Sequence, residues 1–257
     1  MRIHLAGVET LNSYFKEYPA QNHYTLTTFY HWRNKKEIPQ FLYYDSTLID
    51  SGAFSFFGGR KVNWNDYTTS YINFINTLNK KYFFELDIDK IVGVDEALTI
   101  RKRIEKETGK QPIPVWHPIR GMDAYRQMCK DYDYIALSLS GLYDSSWIKD
   151  DKGTDVIKGL IYEANSQGTK VHGLGYTKAR KLHLFNFYSC DSTTWVGGMK
   201  FGNIVYFDGS RIRSVKRPPN TKMINPRKRL LHNYKEWIKY QLFADAGMLV
   251  HAHKSSK

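Results

Sequence analysis

The chain has 257 residues, 42% of them hydrophobic, enough for one large core, and carries a formal net charge of +13. Its two cysteines, Cys129 and Cys190, exclude a disulfide framework and a four-cysteine zinc site, and no apolar run approaches the roughly 20 residues of a membrane span. Met1–Thr10 lacks the apolar centre of a secretory signal, so a reducing, cytoplasmic setting is expected, with a polyanion as the partner that the charge favours.

Eight short apolar runs follow one another: Arg2–Val8, Thr25–Tyr30, Thr47–Phe54, Tyr82–Ile88, Ile113–His117, Tyr134–Leu139, Lys170–Leu174 and Phe187–Cys190. Their content of Val, Ile, Leu, Tyr and Phe predicts buried strands. Amphipathic stretches separate most of them. Trp64–Asn79 places Tyr67, Tyr71, Phe74, Ile75 and Leu78 on one helical stripe, with Asn63 or Asn65 as N-cap. Val94–Glu107 ends at Gly109, a C-cap, with Pro112 beyond. Met122–Lys130, Thr154–Ser166 and the shorter Lys178–Leu184 predict further helices. Strands alternating with helices imply parallel pairing and right-handed crossovers, and eight such units imply an α/β fold, a (β/α)8 TIM barrel over about residues 1–200. No glycine-rich dinucleotide fingerprint follows the first strand, which counts against an open doubly wound sheet. Next, Asn203–Phe207, an Asp208-Gly209 turn and Arg211–Val215 predict a β-hairpin. A linker with Pro218, Pro219 and Pro226 leads to a long helix, Leu230–Val250, whose Trp237, Ile238 and Leu242 are placed to pack on the barrel. The whole reads as a single domain. Tyrosines number 19, and a tyrosine can pack in a core while its hydroxyl serves a polar pocket.

Barrel chemistry stands at the C-terminal ends of the strands. Those ends carry Asp50-Ser51-Gly52-Ala53-Phe54, Glu85-Leu86-Asp87-Ile88-Asp89, Trp116-His117, Ser138-Leu139-Ser140-Gly141, His172-Gly173-Leu174-Gly175 and Cys190-Asp191-Ser192-Thr193-Thr194-Trp195. A carboxylate at a buried strand end costs free energy unless it is paired or functional. Asp50, Asp87 and Asp191 together are read as functional rather than as three helix caps. Gly52, Gly141, Gly173 and Gly175 would let a flat ligand lie against backbone. Two carboxylates across one substrate suit glycosidic chemistry, in which one attacks the anomeric carbon and the other handles the leaving group's proton. From Arg211 to Arg229 the chain carries Arg211, Arg213, Lys216, Arg217, Lys222, Arg227, Lys228 and Arg229 and no acidic residue. With prolines interrupting any helix, this predicts an extended basic strip suited to a phosphate backbone. Trp195 and Lys200 stand nearby as further contacts for a nucleic-acid strand, with the core as the other place for Trp195. Cys190 reads as a small apolar filler, and the tail pair His251 and His253 as no metal site.

Taken in order, these motifs resemble the tRNA-guanine transglycosylase superfamily. Asp50–Phe54 resembles its Asp-Ser-Gly-Gly-Phe motif, and Tyr134–Gly141 sits where its glycine-rich sixth-strand loop lies. His172–Gly175 looks like its seventh-strand Gly-x-Gly, Cys190–Thr193 occupies the place of its nucleophilic aspartate, and the hairpin matches the segment that follows. The chain is shorter than the tRNA-modifying members, lacks their Cys-x-Cys-x-x-Cys zinc motif, and reads Ser192-Thr193-Thr194-Trp195 where they have Leu-Pro-Thr-Arg. It is most similar to the compact, phage-borne branch that inserts 7-deazaguanines, the queuosine-related bases, into DNA. The resemblance implies a pentosyltransferase acting on an extruded guanine in the host cytoplasm, with Asp191 as nucleophile and Asp50 as general acid and base. It implies that Ser51, Gly52, Asp87 (or Asp89), His117, Ser140, Gly141, Gly173 and Leu174 surround the base. Trp195, Lys200, Arg211, Arg213, Lys216, Arg217, Arg227, Lys228 and Arg229 would hold the DNA, and no metal or redox cofactor is expected. Three alternatives stand beside it: the same exchange on tRNA, a catalytically silent nucleic-acid-binding homologue, and a metal-dependent barrel hydrolase using Asp191, His117 and His172. Against the last, the first strand holds only His4 where such enzymes carry a His-x-His pair.

Overall fold

A computed structural model describes residues 1–11, 19–56, 61–138, 151–176, 179–197, 201–215 and 225–249. Seven of the eight apolar runs form strands: β1 (Arg2–Ala6), β2 (Thr25–Thr28), β3 (Thr47–Asp50), β4 (Val115–Trp116), β5 (Tyr134–Ser138), β6 (Lys170–Leu174) and β7 (Ser189–Ser192). All pair in parallel, in the order β3-β2-β1-β7-β6-β5-β4, as a curled half-barrel. Every residue of β5 is buried, which is what strands covered on both faces require.

The eighth run, Tyr82–Ile88, is not a continuous strand. It makes two isolated parallel bridges, Phe83 to Ile49 in β3 and Phe84 to Ile113 just before β4. The ladder begins regularly, with Ile113 N–H donating to Phe83 and Glu85 N–H to Ile113. It then stops, because the next donor, Val115 N–H, goes to the Glu85 side chain at 2.6 Å. Other strands also end earlier than their apolar runs, β3 by the most. After β2 the chain turns into one helical turn, Phe29–Trp32, and after β3 into a 3-10 turn, Ala53–Phe56. Phe29, which continues the β2 run, is buried against Tyr67, Tyr71 and Phe74, whereas Phe54, which ends the β3 run, is exposed.

Five longer helices follow: α1 (Trp64–Leu78), α2 (Val94–Thr108), α3 (Gly121–Asp131), α4 (Asp151–Ser166) and α5 (Pro226–Asp245). Asn63, not Asn65, caps α1, accepting the N–H groups of Asn65 and Asp66 at 3.1 and 3.3 Å. Gly109 closes α2 at φ 65°, a left-handed position that glycine adopts without strain. The expected helix at Lys178–Leu184 is a 3-10 turn over Ala179–Leu184.

Two apolar clusters flank the sheet. The larger lies between strands and helices. The smaller takes residues from the strand segments and none from a helix: Ala6, Leu26, Leu48, Phe84, Val115 and Ala136 are among them, so it fills the concave face. Tyrosines join core to backbone, as their abundance suggested. The α1 residues Tyr67 and Tyr71 are buried, and their hydroxyls donate to the carbonyls of Ser51 at 2.6 Å and Phe84 at 2.7 Å.

The hairpin is present as β8 (Ile204–Phe207) paired antiparallel with β9 (Ile212–Val215). Asp208 accepts three hydrogen bonds at the turn, from Ser210 N–H and hydroxyl and from Arg211 N–H. Helix α5 starts four residues before the predicted Leu230, because Pro226 is its first residue and Asn225 caps it by accepting Lys228 N–H at 3.0 Å. Asn233 ties α5 to the hairpin by accepting Val205 N–H at 3.0 Å. Gln241 ties it to the sheet, donating to the carbonyls of Ile3 at 2.6 Å and Tyr24 at 2.7 Å and accepting Tyr24 N–H at 3.1 Å. Trp237 is buried as expected, whereas Leu242 faces outward and is 51% exposed. No helix among the described residues is long and apolar enough to cross a membrane.

Candidate active site

The C-terminal ends of the strands bring Asp50, Asp87 and Asp191 together. Asp50 ends β3 opposite Thr28 of β2, and Asp191 lies within β7 opposite His4 of β1. The predicted eighth strand stopped at Cys190; the observed β7 runs two residues further and so holds Asp191 rigidly. Period-two alternation puts Ser189 and Asp191 on one face and Cys190 on the other, where Cys190 is fully buried as a filler.

Asp191 is 6% exposed. Its Oδ1 accepts Gly175 N–H at 2.5 Å and lies 3.3 Å from His172 Nε2, while its Oδ2 has no hydrogen-bond partner among the described residues. Gly175 reaches it because its φ of 68° turns the chain at the end of β6. The sequence places His172 at a strand end, in the Gly-x-Gly segment, and gives it a role only in the hydrolase alternative. The signal for its actual place was available: it lies in register opposite Ser189, on the face that Asp191 shares.

Asp50 accepts Gly52 N–H at 3.1 Å. Its carboxyl is pushed up to about 6, first by burial and then by the nearby charges of Asp87 and Asp191, against the pull of the Gly52 hydrogen bond. The two carboxylates therefore differ in setting. Asp191 is held through one oxygen between Gly175 N–H and the His172 ring, whereas Asp50 titrates near neutral pH.

Asp87 is 24% exposed at its side chain, and its Oδ1 is hydrogen-bonded to His117 Nε2. Asp89, the alternate for base recognition, is buried and committed elsewhere: Arg120 donates to it through Nε at 3.1 Å and Nη2 at 2.9 Å. Arg120 also donates to Glu85 at 2.8 Å, so a buried Asp89–Arg120–Glu85 cluster underlies the Asp87 edge. Among the described residues Asp87, Asp89 and His117 have ligand-type atoms within 4.8 Å of one another, the donor set of a divalent cation. The guanidinium of Arg120 already supplies the positive charge there.

Several expectations need correction. Trp195 is not a nucleic-acid contact: it is fully buried, donates to the Ala6 carbonyl at 2.8 Å and packs on Tyr234. Gly173 does not make room for a ligand, since a Cβ there would lie 3.0 Å from the Phe187 ring. Gly52 has φ 74°, and a Cβ on it would lie 2.4 Å from Tyr30 Cβ, so it is required by the approach of β2's end. His117 does not offer Nε2 to a base carbonyl, because Asp87 holds it. Leu174 is partly buried at the inner cluster and keeps an open side, and Ser51 is buried beside Asp50. Ser140, Gly141, Lys200, Lys216 and Arg217 lie outside the described residues.

The basic strip is in part helical. Arg227, Lys228 and Arg229 form the first turn of α5, which has no acidic residue, and Arg229 donates to the Gly202 carbonyl at 2.7 Å. Arg211 and Arg213 are about half exposed and both approach Asp208, Arg213 at 2.5 Å. A cleft of about 570 Å³ opens past the end of β7, lined by Gly7, Thr10, Thr193, Thr194, Val196 and Phe201, and none of the three carboxylates lines it. A second, of about 520 Å³, lies at the other end of the strands near Arg2, Lys170 and Tyr188, away from the carboxylates. Comparison of the chain with family models, with curated proteins and with solved structures finds no match in any of the three.

Proposed function

We propose that the protein is a glycosyltransferase that exchanges guanine in DNA for a 7-deazaguanine through a covalent Asp191–nucleotide intermediate. The curled sheet is read as a complete barrel whose fourth stave is the bridged segment around Phe83 and Phe84. One observation carries the reading. Asp191 is gripped through Oδ1 alone, and Asp50, close enough to feel its charge, has a carboxyl that titrates near 6.

In this reading the free Oδ2 of Asp191 attacks C1′ of an extruded deoxyguanosine. The C1′–N9 bond breaks, its electron pair leaves with the base, and protonated Asp50 supplies a proton to that base. The incoming deazaguanine then gives its N9 proton to Asp50, forms the new bond to C1′ and displaces Asp191. Two displacements retain the anomeric configuration. Asp87, set in place by His117, accepts hydrogen bonds from the purine's amino and ring N–H edge. Three cations in the first turn of α5 oppose that helix's own dipole, an arrangement that a phosphate anion at the same end would relieve.

The test is to mix protein, a guanine-containing DNA duplex and a 7-deazaguanine, and to look by denaturing gel for a protein–DNA adduct. The expected result is an adduct that Asp191→Ala abolishes. Parallel incubation of tRNA with labelled guanine separates the two nucleic-acid substrates. Label entering neither, with no adduct, overturns the proposal.

A further inference from the structure

The chain of groups behind Asp191 does more than fill the inside of the sheet. Tyr134 on β5 is buried, and its hydroxyl is hydrogen-bonded to Ser189 Oγ on β7. Ser189 Oγ lies 2.5 Å from His172 Nδ1, and His172 Nε2 lies 3.3 Å from Asp191 Oδ1. The four side chains thus form one line through the concave face, spanning β5, β7 and β6.

The direction of the hydrogens along this line follows from the chemistry of its ends. At the Tyr134 end, burial pushes the phenol above its ordinary range, so it remains a hydroxyl, and Ser189 Oγ is its one acceptor among the described residues. A serine hydroxyl has one hydrogen. If Ser189 Oγ accepts from Tyr134, its own hydrogen points to His172 Nδ1, which must then be the unprotonated nitrogen. The ring proton therefore sits on Nε2, facing Asp191. In a neutral ring the opposite direction would leave the Nε2 lone pair facing Asp191 Oδ1 at 3.3 Å, two acceptors with no hydrogen between them. The ring has no freedom to turn away. It is fully buried, with Phe84, His4 and Tyr134 around it at centroid distances of 5.1, 6.0 and 6.4 Å.

We propose that Tyr134, Ser189 and His172 are positioning residues that fix the Nε2–H tautomer of His172, so that it and Gly175 N–H hold Oδ1 of Asp191 and leave Oδ2 aimed at the sugar. The kinetic part of this inference rests on the glycosyl-transfer reading, whereas the tautomer does not. No bond to His172 forms or breaks in the reaction, and its proton stays on Nε2 throughout.

Two measurements test it. The first is nitrogen NMR of histidine-labelled protein without substrate. His172 should carry its proton on Nε2, and Ser189→Ala should produce a mixture of tautomers. A proton on Nδ1 in the parent protein, or no change in Ser189→Ala, overturns the proposal. The second is single-turnover adduct formation. His172→Phe keeps the ring volume and removes the donor, and its rate should fall about 10²-fold at unchanged KM for DNA, the size expected when a reacting group is misaligned. His172→Gln, whose amide N–H reaches the Nε2 position, should recover most of that loss. Equal rates for the Phe and Gln variants, or a change confined to KM, overturn the proposal. If the parent protein forms no adduct, the glycosyl-transfer reading falls, and the NMR result alone decides the positioning.

Discussion

Replacing Arg120 by Met removes the one cation that both buried carboxylates of the Asp89–Arg120–Glu85 cluster share. Glu85 and Asp89 have fully buried side chains, with Arg120 nitrogens at 2.8 and 2.9 Å. Glu85 keeps only the Val115 N–H on Oε1 at 2.6 Å besides: its Oε2 makes no hydrogen bond, and the nearest further cation, Arg101, is 3.8 Å away. Breaking a buried pair by deleting one partner costs about 3–5 kcal/mol, because the other charge stays buried. Against a typical total of about 5–15 kcal/mol, that is a large share of the stability. The loss should depend on pH. Burial pushes the Glu85 carboxyl up, and Arg120 and Arg101 pull it back. Without Arg120 it rises further, so the folded variant binds more protons than the unfolded chain, and stability returns as pH falls towards the ordinary glutamate value of 4.5. Urea unfolding followed by tryptophan fluorescence at pH 7, 6 and 5 should show the gap between parent and variant widest at pH 7. Arg120→Lys should lose less but still fail to bridge both carboxylates. Superimposable curves at pH 7, or a gap that does not change with pH, would refute the reasoning.

Asp50→Asn should flatten a slope in the pH dependence of stability. The folded carboxyl titrates at about 6 against an ordinary 3.8, so stability is lost as pH rises between those values, by no more than about 3 kcal/mol before solvent screening reduces it. Urea midpoints from pH 4 to 7 measure it. Gly173→Ala should destabilise the protein by about 1–3 kcal/mol, since its Cβ must displace the Phe187 ring, and a thermal melt reads the loss. Trp195→Phe should lower the melting temperature through the lost bond to Ala6 and leave DNA affinity at fixed salt unchanged. Arg227→Gln with Lys228→Gln should weaken DNA binding uniformly across sequences and reduce the salt slope by about 2, measured by fluorescence anisotropy at several salt concentrations.

The strand–helix alternation was legible because buried parallel strands are written as uninterrupted apolar runs, and because Asn63 and Gly109 end helices by local chemistry. Strand ends were less so. Whether Phe29 or Phe54 pairs with a neighbouring strand, packs on a helix or turns outward depends on what lies across the fold, and no window of sequence contains it. The same holds for Glu85, whose carboxylate takes a backbone donor that the ladder would otherwise use. The site divided similarly. Asp50 and Asp191 stood out as acids at strand ends. Gly52 and Gly173 were read as room for a ligand, although Tyr30 and Phe187 claim that space. His172 was undervalued because its partners Ser189 and Asp191 lie 17 and 19 residues away, and only the register of β6 on β7 brings them together.

Gln241 gives the fold a place in time. Its amide caps the Ile3 carbonyl across 238 residues of chain, so β1 acquires that partner only after β2 to β9 have been made. At about 5–20 residues per second, β1 waits roughly 10–50 s on the ribosome for that one donor, although β2 and β7 can pair with it sooner. A nascent chain arrested before α5 emerges therefore leaves the carbonyls of Ile3 and Tyr24 without the amide donor that joins them, and arrival of that helix supplies it.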